Sequence, residues 1–66
     1  MNIDNNKLKS LITNRVDEIE KAVAGTGYLV KTVIGVGTFL LDNHCDLDLL
    51  TAKQHVTFER FIKPLL

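Results

Sequence analysis

The 66-residue chain has one cysteine, one proline, no tryptophan and no excess of either charge. A single cysteine excludes a disulfide within the chain and fits a reducing compartment. Eight basic and eight acidic residues give a formal net charge of zero, so no long-range field attracts nucleic acid, anionic lipid or an acidic substrate. We therefore expect a cytoplasmic protein that does not bind nucleic acid.

Motifs with an assigned chemistry are missing as well. Residues 25–27 and 35–37 each begin like a dinucleotide-binding fingerprint, but Val30 and Leu40 stand where its third glycine belongs. The sequence predicts only three short helices, described below, and these enclose little volume for a catalytic pocket. We expect a non-enzymatic protein with no cofactor.

The side chains best suited to bind a metal are His44, Cys45 and His55. A zinc site needs three or four ligands that converge on one ion, and adjacent residues such as His44 and Cys45 rarely do so from regular backbone. We expect a polar loop here and no resident metal. A metal-binding module completed across a dimer is the alternative.

Residues 28–41 form an apolar block with a single charge, Lys31. Apolar residues recur in it at steps of one, three and four, which predicts a helix over residues 28–43. Six of its fourteen residues are β-branched, so an α+β fold with a hairpin within 28–41 is the alternative. On the helical interpretation, the expected interface is the apolar stripe formed by Leu29, Val30, Val33, Ile34, Gly37, Leu40 and Leu41.

The same block suggests a second alternative, a small membrane-inserted subunit with a span near residues 22–41. That window has the nominal length of a transmembrane helix. Lys31 lies near its centre, where a lysine costs about 2.5 to 3.5 kcal/mol. We expect a buried helix in a soluble protein instead.

A first helix is predicted over residues 5–24, with Asp4 as its N-cap. Glycines at 25 and 27 end it, and Thr26 is the expected cap of the second helix. The apolar stripe of the first helix, at three- and four-residue steps, consists of Leu8, Leu11, Ile12, Val16, Ile19 and Val23.

A third helix is predicted over residues 52–63. Thr51 and Gln54 have the spacing of a capping box, and Pro64 disfavours helical geometry before it, so the regular helix should end near Ile62. The sequence stops on two leucines. Such an end fits either a longer chain or a terminus buried in an assembly.

Gly37 lies in the apolar stripe of the central block, whereas Gly35 lies on its polar side. A glycine in a helix stripe lowers helix propensity, and close approach of another helix is its expected benefit. The sequence thus predicts one all-α domain over residues 1–66. With 45% apolar residues and room for only a small core, we expect homo-oligomerisation or binding of a partner protein.

Overall fold

The computed structural model describes residues 3–66, and within this range all regular structure is helical. The four α-helices are α1 (Asn5–Asn14), α2 (Val16–Val23), α3 (Val30–Asp42) and α4 (Ala52–Thr57). Shorter helical segments of other geometry are the 3₁₀ turn Leu47–Leu49, the π-helix Phe58–Ile62 and the 3₁₀ turn Lys63–Leu65. The all-α prediction is confirmed, and the hairpin alternative is wrong.

The first predicted helix is divided in two. Asp4 caps α1 as predicted, because its Oδ1 accepts from the amides of Asn6 at 2.9 Å and Lys7 at 3.2 Å. The continuous helix 5–24 is wrong, since Arg15 leaves helical geometry at φ −118° and ψ 32°. The Thr13 hydroxyl donates to the Lys9 carbonyl at 2.6 Å, a local bond that bends helices and favours a break here.

A glycine turn joins α2 to α3. Gly25 and Gly27 have φ of 76° and 84°, values that glycine adopts without steric cost. Thr26 donates to the Val23 carbonyl at 2.6 Å and accepts from the Tyr28 amide at 3.1 Å. Thr26 therefore closes the turn and does not cap α3, so the predicted role of this residue is wrong.

The C-terminal segment begins as predicted and then changes geometry. Thr51 and Gln54 form the capping box of α4, with N···O distances of 2.9 and 3.2 Å. The α-helical geometry ends at Thr57, earlier than predicted, and the path continues as a π-helix to Ile62. Pro64 offers no amide hydrogen to the carbonyl four residues earlier and would clash with it. Pro64 itself lies in the 3₁₀ turn Lys63–Leu65, which follows the π-helix.

The core lies around α3, which contacts α1, α2, α4 and the π-helix. In the described part of the chain its buried apolar residues are Leu8, Leu11, Ile19, Val23, Val33, Val36, Leu40, Phe58, Phe61 and Ile62. None of the helices described in residues 3–66 is both long and apolar enough to cross a bilayer. The window 22–41 is divided among the end of α2, the glycine turn and α3.

Candidate functional site

An open groove of about 660 Å³ lies between the beginning of α3 and α4. Its apolar lining includes Val36, Ala52 and Val56, together with the ring of Tyr28. Three threonines, Gln54 and Lys53 also line it. The groove therefore resembles a docking surface for an apolar segment more than an enclosed ligand cavity.

The aromatic side of the groove is held in place by a tilted ring–ring contact and a guanidinium group. The ring of Tyr28, directly after the glycine turn, lies 4.8 Å from the ring of Phe61, centroid to centroid, at an interplanar angle of 58°. Phe61 is buried in the core. The Arg60 guanidinium carbon lies 5.4 Å from the Tyr28 centroid and 5.2 Å from the Phe61 centroid, within cation–π range. Tyr28 is thus fixed by both neighbours.

On the α4 side of the groove, an apolar side chain faces water. Val56 is 48% exposed although its neighbour Thr57 is buried. The Thr57 hydroxyl donates to the Lys53 carbonyl at 3.0 Å, so this buried polar group is satisfied within α4. On the α4 side, the groove therefore presents the accessible apolar side chain of Val56. The buried hydroxyl of Thr57 needs no partner from outside α4.

The charged groups around the groove are basic. Lys53 lines it and Arg60 lies over Tyr28, and both are exposed. Glu59 does not line the groove and is instead close to Lys63 Nζ at 3.4 Å and His55 Nδ1 at 4.0 Å. A partner with carboxylates beside an apolar group would match this charge pattern.

The interface predicted from the α3 stripe is only partly accessible. Val33 and Leu40 are fully buried, and Gly37 is buried against α1. Val30, Ile34 and Leu41 are half-buried and pack on the core, and Leu29 is 64% exposed. In this conformation the chain's own helices therefore cover most of the stripe.

The three candidate metal ligands are placed in different surroundings. His44 and Cys45 follow α3 with φ of 56° each, and the Cys45 amide donates to the Leu40 carbonyl at 2.6 Å in a Schellman-type end. The Cys45 thiol donates to Asn5 Oδ1 at 2.8 Å, and burial raises its pKa. His55 lies on α4 near Glu59. Among residues 3–66, no three His, Cys, Asp or Glu side chains are grouped to hold a metal ion.

The groove was not predicted from the sequence. The predicted stripe omits Val36, although this residue lies three positions after Val33 and four before Leu40, the spacing of a shared helix face. The contact between the Tyr28 and Phe61 rings had no signal in the sequence, because the two residues are far apart along the chain. No family model, no curated protein and no solved structure matches this chain.

Proposed function

We propose that this protein is a non-enzymatic association module that binds a second copy of itself through the groove between α3 and α4. The proposal is supported chiefly by the open, mainly apolar groove, which has a volume of about 660 Å³ and contains the half-exposed Val56. Docking of an apolar segment into a groove is a recurring mode of protein recognition.

Two properties of the chain support self-association. The formal net charge is zero, so two copies approach without net repulsion. The core is small for a chain with 45% apolar residues, and domains of this size gain stability when an assembly buries further apolar surface. The neutral charge and the single cysteine are the grounds on which we place this association in the cytoplasm.

The proposal is tested by dilution, followed by amide NMR spectra. If the groove is the contact, amide resonances of Tyr28, Lys53 and Val56 shift with protein concentration. Resonances on the exposed face of α1, such as that of Lys9, stay constant. Concentration-independent spectra throughout would contradict self-association.

A pair of variants locates the contact. Val56→Lys places a charge in the groove at a half-exposed position, so the fold tolerates it while docking is lost. Leu29→Lys is the matched control, because Leu29 is 64% exposed and does not line the groove. Loss of the concentration-dependent shifts in Leu29→Lys but not in Val56→Lys would restore the α3 stripe and exclude the groove.

A further inference from the structure

The segment that follows α3 carries an exposed leucine that comes shortly after two aspartates. Leu49 is 52% exposed, and Asp46 and Asp48 are exposed as well. Leu47 and Leu50, on either side, pack against the core. The 3₁₀ turn is thus anchored by two leucines and presents the third to solvent.

The turn is also ordered locally. The Asp46 carboxylate accepts from the Asp48 amide at 3.0 Å, and the Leu50 amide donates to the Leu47 carbonyl at 3.1 Å. Leu49 does not line the groove of its own chain. A fixed apolar group with acidic neighbours therefore has no intramolecular site, and its rigidity lowers the entropic cost of docking elsewhere.

We propose that the 3₁₀ turn Leu47–Leu49 of one copy inserts Leu49 into the α3/α4 groove of a second copy, with Asp48 beside Lys53. This inference rests on the self-association proposed above and names the segment that fills the groove. The two surfaces are complementary. The groove is apolar and lies near the basic side chains of Lys53 and Arg60, whereas the turn presents an apolar side chain near two aspartates.

The contact is reciprocal. Asp48 lies five positions before Lys53 in the sequence, so the acidic turn and the basic groove adjoin at the beginning of α4. Two copies related by a twofold axis exchange the same two contacts, which closes the assembly at a dimer.

The test is a mixing experiment with two charge-reversal variants, Asp48→Lys and Lys53→Glu, followed by sedimentation velocity. Each variant alone places like charges in both contacts, so its dimer dissociation constant rises by about tenfold or more. An equimolar mixture of the two places opposite charges in both contacts of the heterodimer. Its dissociation constant returns to within about threefold of that of the unmodified protein.

The controls separate this contact from general effects. Lys31→Glu and Glu20→Lys reverse exposed charges outside the groove and the turn, and they leave the dissociation constant within about threefold. Leu49→Ser removes the inserted group without changing charge and weakens the dimer, while circular dichroism confirms that each variant stays helical.

Three outcomes overturn the inference in distinguishable ways. If the unmodified protein is a monomer, the proposed function fails and this inference with it. If the protein dimerises but Asp48→Lys, Lys53→Glu and Leu49→Ser all dimerise equally well, self-association stands and the inserted turn is excluded. If the mixture of the two charge variants stays as weak as each alone, Asp48 and Lys53 do not meet across the dimer.

Discussion

At the scale of residues, two glycines of α3 have contrasting surroundings. A Cβ atom on Gly37 would lie 2.7 Å from Cγ2 of Ile12 in α1, whereas one on Gly35 would have no neighbour within 4 Å. Ile12 is β-branched in a helix, so its χ1 is stiff and the methyl group does not swing aside freely. Gly37 therefore gives α1 room to pack on α3, and the expected close approach occurs within the chain.

The same substitution should have opposite effects at the two glycines. Gly35→Ala raises the free energy of unfolding by about 1 kcal/mol, because alanine has the higher helix propensity. Gly37→Ala lowers it, since overpacking of about 1 to 3 kcal/mol outweighs that gain. Urea denaturation of both variants measures the difference.

A double-mutant cycle identifies the cause. In an Ile12→Ala background the opposing methyl group is absent, so Gly37→Ala should no longer lower the free energy of unfolding. If Gly37→Ala is as destabilising in that background as it is in the unmodified protein, the contact between the two helices is not responsible.

His44 adopts left-handed backbone geometry, with φ of 56°. Such geometry costs a non-glycine residue about 1 to 2 kcal/mol, a cost that glycine would not have. Glycine also has greater conformational entropy in the unfolded chain, which offsets part of this gain. His44→Gly should therefore raise the free energy of unfolding by about 1 kcal/mol. The control His55→Gly, within α4, should lower it by about 0.3 kcal/mol, because glycine is a weaker helix former than histidine. A loss of stability in both variants would contradict the view that the left-handed backbone of His44 destabilises the fold.

At the scale of elements, the capping box sets the beginning of α4, the helix that forms one wall of the groove. Thr51→Ala removes the oxygen that accepts from the Gln54 amide, which should cost about 1 kcal/mol of unfolding free energy. Thr38→Ala, at an exposed position within α3, should cost nothing because it gains helix propensity. Thermal denaturation compares the two, and equal stability would show that the cap is dispensable.

The break between α1 and α2 is used to join distant parts of the chain. Arg15 donates from Nε and Nη2 to the Glu18 carboxylate at 2.5 and 2.9 Å, and Nη2 also donates to the Leu65 carbonyl at 2.9 Å. The hydrogen bonds from Arg15 lower the pKa of Glu18 below its ordinary value of 4.5. The pair thus links the start of α2 to the C-terminal turn.

Stability should therefore depend on pH through Glu18. A carboxylate with a lowered pKa in the folded state stabilises the fold above its unfolded pKa, and this contribution is lost as pH falls through the lowered value. Glu18→Gln should remove part of the loss in urea midpoint below about pH 4.5. Glu20→Gln keeps the Arg15–Glu18 pair and should retain that loss. If both variants lose stability equally toward acid pH, the pair makes no contribution.

The features that the sequence predicted correctly are local ones. Asp4 and Thr51 were identifiable as caps because each acts on amides within three residues of itself. Gly37 was identifiable as a contact point because it interrupts a helix stripe. The hydrogen bond from Arg15 to the Leu65 carbonyl was not predicted, because it joins residues fifty positions apart in the chain.

The candidate site was less predictable for a related reason. A stripe on one helix indicates that something covers it, but it does not distinguish the chain's own helices from a second molecule. In α3 the cover over Val33 and Leu40 is intramolecular. The groove instead depends on how the glycine turn and α4 are placed, and tertiary packing decides this placement.

At the scale of the whole molecule, the chain leaves apolar side chains without a place in its core. Leu29, Leu49 and Val56 are all about half exposed or more. Val56 lies in the groove and Leu49 on the acidic turn, so an exchange between two copies would cover both. Leu29 remains outside this contact, as single exposed leucines commonly do.

Sedimentation equilibrium over a wide range of protein concentration measures self-association of the chain. We expect the mass to rise from the 7.4 kDa of one chain to twice that value and no further, and Val56→Lys to stay at the mass of one chain. A mass of one chain for the unmodified protein at every concentration, up to the millimolar range, would contradict the account.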